Sequence, residues 1–134
     1  MFFIQCEKEK LVNYIDEKNQ KQGHWIITGK ITNLPGYNSN QIVEHGQYIN
    51  DKKSGMWKGY YPNGNLKHEI TYVDGIAIGN AKLYYDNGNI SEKGYWDRNK
   101  WVGTYKFYSY EGKLLQTLNY SVEGKRINSN YKLN

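Results

Sequence analysis

Apolar and polar positions alternate along this chain in short aromatic runs, and the runs repeat with a period of 24 residues. One row reads Gly55-Met56-Trp57-Lys58-Gly59-Tyr60-Tyr61, turns at Asn63-Gly64 and continues through Leu66, Glu69 and Tyr72. The next holds Gly79, Ala81, Lys82, Leu83, Tyr84 and Tyr85, a turn at Asn87-Gly88, then Ile90, Glu92 and Trp96. A further row holds Gly103, Tyr105, Lys106, Phe107, Tyr108, Gly112, Leu114 and Tyr120. Period-two alternation rich in aromatic residues predicts strands. Asn-Gly between two such runs predicts a hairpin turn with positive φ at both residues. Each row is therefore expected to form one β-hairpin, joined to the next by a connection such as residues 73–78. The one helical pattern falls at residues 7–18.

A degenerate row comes first. Counting back 24 from Tyr72, Leu66 and Tyr61 reaches Tyr48, Ile42 and Tyr37, whereas Gly23-His24-Trp25 lies 32 residues before Gly55-Met56-Trp57. The first row thus carries an eight-residue insertion, placed at residues 28–36, where Leu34-Pro35-Gly36 marks a turn. The expected fold is all-β: a single-layer antiparallel meander of about four hairpins and eight strands, each repeat stabilised by its neighbours. Residues 1–20 read as a polar N-terminal segment, in which Leu11, Tyr14 and Ile15 are placed to cap the first row. Residues 21–124 read as the repeat domain and 125–134 as a C-terminal tail.

Side chains alternate across a strand. One parity of the first strands collects Trp57, Ala81 and Tyr105 with Gly59, Leu83 and Phe107, and is expected to pack. The other collects Lys58, Lys82 and Lys106 with Tyr60, Tyr84 and Tyr108, a basic stripe bordered by tyrosines and a candidate recognition surface. It is equally explained as a solvated outer face whose tyrosines stack from one hairpin to the next. A second candidate column, Glu44, His68 and Glu92, followed by Gln116, shares the parity of Leu66 and Ile70. It meets a basic partner, or sits at bulges that turn it outward.

Composition narrows the class. Hydrophobic residues make up only 38%, while aromatics make up 16% with fourteen Tyr, so a thick aliphatic core is excluded and disorder is disfavoured. No run approaches the roughly twenty apolar residues of a membrane-spanning helix. The formal charge is +5, but the lysines are interleaved with acids, as in Glu7-Lys8-Glu9-Lys10, so a nucleic-acid partner is not expected. The single Cys6 excludes an intrachain disulfide and a cysteine zinc site. Residues 1–6, Met-Phe-Phe-Ile-Gln-Cys, followed by a charged spacer, look like the end of a bacterial lipoprotein signal with Cys6 as the lipid attachment point. The run is too short for a whole signal, so the expected location is cytoplasmic, or envelope-anchored if a signal has been trimmed.

Catalytic constellations are missing. His45 and His68 are 23 residues apart, one short of the period, so they are expected on opposite faces and make a poor metal set with His24. There is no phosphate loop and no nucleophile elbow. The reading is a non-enzymatic protein with no metal and no cofactor.

The rows, best seen in Trp57 to Gly64, Tyr84 to Ile90 and Gly103 to Gly112, resemble the MORN-repeat variant. Departures are Pro62 before one turn, Ala81 where Trp is usual, and Ser109-Tyr110-Glu111 where a turn loses its Asn. The resemblance implies an elongated sheet that binds other proteins, with phospholipid surfaces also proposed for such repeats. Bacterial members are often labelled antitoxin or immunity proteins of the YwqK type. The expected function is therefore a protein-binding module, with a toxin as the partner it neutralises. The alternative is an envelope or membrane-surface scaffold, held through Cys6 or by anionic lipid. An open sheet also leaves an edge strand that invites a homodimer.

Overall fold

The computed structural model describes residues 11–127. They form one ten-stranded antiparallel sheet whose strands lie side by side in sequence order. The strands are β1 (Tyr14–Ile15), β2 (Lys21–Thr28), β3 (Ile42–Ile49), β4 (Lys52–Tyr60), β5 (Leu66–Val73), β6 (Ile76–Tyr84), β7 (Ile90–Asp97), β8 (Lys100–Tyr108), β9 (Leu114–Tyr120) and β10 (Arg126–Ile127). The single-layer meander is as the alternation predicts. It has ten strands rather than eight, because the flanking pairs Tyr14–Ile15 and Arg126–Ile127 join the sheet at its two ends.

No helix forms at residues 11–18; residues 7–10 lie outside the described part. Asn13 and Asn19 hold positive φ (59° and 61°), and Asp16 Oδ1 accepts the backbone N–H groups of Lys18 and Gln20. Side-chain capture of nearby N–H groups competes with a helix and favours a turn. Leu11, Tyr14 and Ile15 remain exposed, so this segment caps the sheet through its backbone and not through an apolar lid. Asn13 extends the cap: its amide accepts from Ile26 N at 2.7 Å and donates to Ile26 O at 3.0 Å, as a neighbouring strand would. An edge covered in this way is a poorer template for foreign strands.

The turns differ from the expectation. Positive φ at both central residues occurs at Asn50-Asp51, Asp74-Gly75 and Arg98-Asn99, which are the connections between rows. At Asn63-Gly64 and Asn87-Gly88 only the glycines take it, at 87° and 92°. These turns are longer, closed by Tyr61 N to Asn65 O and by Tyr85 N to Asn89 O. Their asparagines serve through side chains instead. Asn63 Nδ2 donates to Asp86 O and Asn87 Nδ2 to Tyr110 O, both at 2.7 Å and both in the next hairpin. Ser109 N to Lys113 O closes the third turn in the same way without an Asn.

A tyrosine ladder runs along the same edge. Tyr37, Tyr61 and Tyr85 donate their hydroxyls to the carbonyls of Tyr60, Tyr84 and Tyr108 at 2.7, 2.7 and 2.8 Å. Each repeat is thus bonded to the next by side chains as well as by the strand ladder. Tyr37 takes the same role as Tyr61, which places the extra residues of the first row before it. They fold as the helical turn α1 (Gly29–Thr32) and the loop that follows.

One face packs. Trp25, Ile27, Tyr48 and Trp57 form its buried cluster, and Tyr72 leans on it. The rings meet edge-on, Trp25 to Tyr48 at 5.7 Å and Tyr48 to Trp57 at 4.9 Å between centroids, the arrangement that aromatic quadrupoles favour. Trp57 sits on Gly46 of β3, where any Cβ would overlap the indole. Ala77 and Ala81 are buried in the middle of the sheet, and a second aromatic series, Trp96, Trp101, Tyr105 and Tyr120, continues beyond them. Rings packed edge to face along a single sheet thus supply the burial that a second layer supplies elsewhere.

Candidate binding face

The two parities separate up to the turns, apart from register shifts beside Gly46, Thr71 and Gly94. At the turns the register slips by one, between Gly59 and Tyr60, Leu83 and Tyr84, and Phe107 and Tyr108. Tyr60, Tyr84 and Tyr108 consequently pair across the strands with Leu66, Ile90 and Leu114. Those three apolar residues do not simply continue the packed row.

The column Glu44, His68 and Glu92 is not turned outward by a bulge. It runs through the packed face, where Glu44, Gly59, His68, Leu83, Glu92 and Phe107 are successive cross-strand partners. Its two carboxylates are served within the chain. Lys53 Nζ lies 2.9 Å from Glu44 Oε2, with both side chains 23% exposed, and Tyr105 OH donates to Glu92 Oε2 at 2.9 Å. Burial, reinforced by the Glu92 carboxylate, pushes the Tyr105 hydroxyl well above the usual phenol range. Lys53 also sits over the rings of Trp57 and Tyr72 at 4.2 and 5.3 Å, as Lys21 does over Trp25 and Tyr48 at 5.3 and 4.9 Å. Sequence reasoning missed these two cations, although Lys21 and Lys53 each stand four residues before a Trp.

His68 is desolvated beneath this face, which lowers its pKa from the ordinary 6.5. His45 lies on the opposite face, as its odd spacing predicts, and is also lowered, first by burial and then by the nearby His24 and Lys58 charges. Both imidazoles bind a proton less readily folded than unfolded. On acidification through about 6.5 the unfolded chain therefore gains protons first, and stability falls. Urea unfolding should show this loss between pH 7.5 and 5.5, using the usual His range, and His45→Gln/His68→Gln should flatten it. A parent curve that holds level or rises over that range would contradict the assignment.

The other face carries the Lys–Tyr stripe. Lys82 is exposed, while Lys58, Lys106, Tyr60, Tyr84 and Tyr108 are half-buried. Each of the three tyrosines finds a partner on the neighbouring strand. Tyr60 OH lies 3.0 Å from His45 Nε2, Tyr84 OH donates to Glu69 Oε2 at 2.8 Å, and Lys93 Nζ rests 5.8 Å over the Tyr108 ring. Burial and then Glu69 push the Tyr84 hydroxyl up to about 12. Lys58 is held 3.4 Å from Glu69 Oε1, so its charge is compensated. Lys93 was not among the residues expected on this surface. It lies on a second strand, and only the register Lys82–Lys93–Lys106 brings it into the row. Around these three lysines an open groove of about 370 Å³ is lined by Met56, Glu69, Ala81, Tyr95 and Thr104, among others.

Among the described residues no group of three His, Cys, Asp or Glu side chains is placed to hold a metal, and no helix is long and apolar enough to cross a membrane. Cys6 lies outside the described residues. The profile of the MORN repeat variant matches residues 53–74, 78–98 and 101–121. Three of the hairpin repeats are thus similar to the MORN repeat variant. Each matched segment begins in one strand of the sheet and ends in or just after the next, so the family unit and the structural hairpin coincide. No curated protein matches the chain. MORN repeats are generally binding modules for proteins or membrane phospholipids.

Proposed function

We propose that the chain is a non-catalytic protein-binding module whose Lys–Tyr face receives the partner. One observation supports this above all: the two faces differ in what they leave exposed. The packed face satisfies Glu44 and Glu92 internally and buries its large rings. The opposite face keeps Lys82, Met56 and Tyr95 exposed around a groove. Half-buried tyrosines beside cations and an apolar wall are the composition of a protein interface. In the finer reading, the partner is a toxin that the chain neutralises by direct binding. That reading draws on the resemblance of the rows to the MORN-repeat variant, whose bacterial members are often labelled antitoxin or immunity proteins.

Affinity capture from the native host with the full chain tests the reading. It should recover a specific protein partner, encoded beside this gene if the partner is a toxin. Recovery of no specific protein removes the reading. Flotation with phosphatidylglycerol vesicles addresses a membrane-surface role. Vesicle binding by the parent, lost in the Lys58/Lys82/Lys106→Glu triple variant, would favour that role instead.

A further inference from the structure

The repeats contain their own comparison. His45, Glu69, Lys93 and Thr117 occupy one column at the 24-residue period. Glu69 stands between Lys58 and Lys82 in the cross-strand register, and Lys93 stands between Lys82 and Lys106. Around Glu69 the row reads Lys–Glu–Lys and closes on itself through the Lys58 contact and the Tyr84 hydroxyl. Around Lys93 it reads Lys–Lys–Lys, and none of these three forms an ion pair among the described residues. Like charges directly opposite on neighbouring strands destabilise a sheet. Strands about 4.8 Å apart leave such charges well inside a Debye length of about 8 Å. A glutamate at position 93 would relieve the repulsion, as Glu69 does one repeat earlier; Lys93 has only the Tyr108 ring at 5.8 Å as an intrachain partner, so an anionic ligand would relieve the row further.

The surroundings specify that ligand. The groove floor is the backbone of Ala81 and Gly94, and its wall holds Met56 and Tyr95, 49% and 44% exposed. The three lysines stand on three adjacent strands, their backbone positions spanning about 10 Å. Two carboxylates on alternate residues of an extended chain, about 7 Å apart, fit within that span, and the intervening side chains can lie against an apolar wall. We propose that this groove binds an acidic, extended segment of a protein partner, with Lys82, Lys93 and Lys106 taking its carboxylates and Met56 and Tyr95 its apolar side chains. The proposal rests on the protein-binding reading and locates its centre in the third and fourth repeats, away from the neutralised Lys58.

The test uses the full chain and a fluorescent peptide that alternates Glu with Leu, beside the same peptide with Gln in place of Glu. The parent should prefer the Glu peptide by about tenfold or more. Lys93→Glu should abolish that preference and raise the melting temperature, since it restores the arrangement of the preceding repeat. Lys113→Glu, exposed in the third turn, makes the same change in net charge and should keep the preference. Equal binding of the two peptides by the parent, or equal weakening by Lys93→Glu and Lys113→Glu, overturns the proposal. So does binding confined to phosphatidylglycerol vesicles. If a partner captured from the host is retained equally by Lys93→Glu, the groove assignment fails while the protein-binding reading stands. If the parent captures no partner, it is that reading which fails.

Discussion

Replacing Trp57 with alanine should destabilise the sheet by about 3–5 kcal/mol, the usual range for removing a buried Trp. No side chain in the described sheet is better enclosed: Trp57 is 0% exposed. It meets Tyr48 edge-on, carries Lys53 over its ring, and donates its indole N–H to Gln47 O at 3.0 Å. In a one-layer sheet nothing on a second layer can move in to fill the space. Neighbouring repeats lose their contact as well, so the loss should appear as a lower urea midpoint and not as a local defect. Trp57→Phe keeps a ring over Gly46 and should recover about half of the loss. A measured cost below about 1 kcal/mol for the alanine variant would show that the aromatic cluster does not hold the fold.

Lys53→Met should cost about 2 kcal/mol, whereas Lys58→Met should cost less than about 1 kcal/mol. Both lysines contact a glutamate, Lys53 at 2.9 Å and Lys58 at 3.4 Å. Their surroundings differ. The Lys53 side chain is 23% exposed and lies over two rings, so its removal leaves Glu44 without its cation and takes charge from the Trp57 and Tyr72 faces. The Lys58 side chain is 41% exposed and screened by solvent. Paired thermal melts at equal salt decide the matter. Equal losses for the two variants would mean that the packed face is not the structural one.

Much of this was legible in the residues. The period gave the hairpins, the position of the insertion and the two faces, because each depends only on spacing and alternation. The positive-φ pairs were missed at Asn50-Asp51 and Arg98-Asn99, since the more familiar Asn63-Gly64 signal drew the assignment to the wrong end of the hairpin. The outward turn offered for Glu44, His68 and Glu92 failed because parity says which face a side chain takes and not who meets it there. Lys53 and Tyr105 make that face habitable for two carboxylates. Lys93 was overlooked for a related reason. Columns read down the repeats compare only equivalent strands, and its neighbours are set by register between unlike strands.

The most direct test of a sheet with one structural and one binding face is lysine acetylation, read by mass spectrometry on the free chain and on its complex with a partner captured from the host. The account predicts that the complex slows modification of Lys82, Lys93 and Lys106. Lys113, exposed in a turn, should be unchanged, and Lys21 and Lys53, held over rings on the packed face, should react slowly in both states. Protection centred on Lys21 and Lys53, with Lys82, Lys93 and Lys106 unaffected, would contradict it.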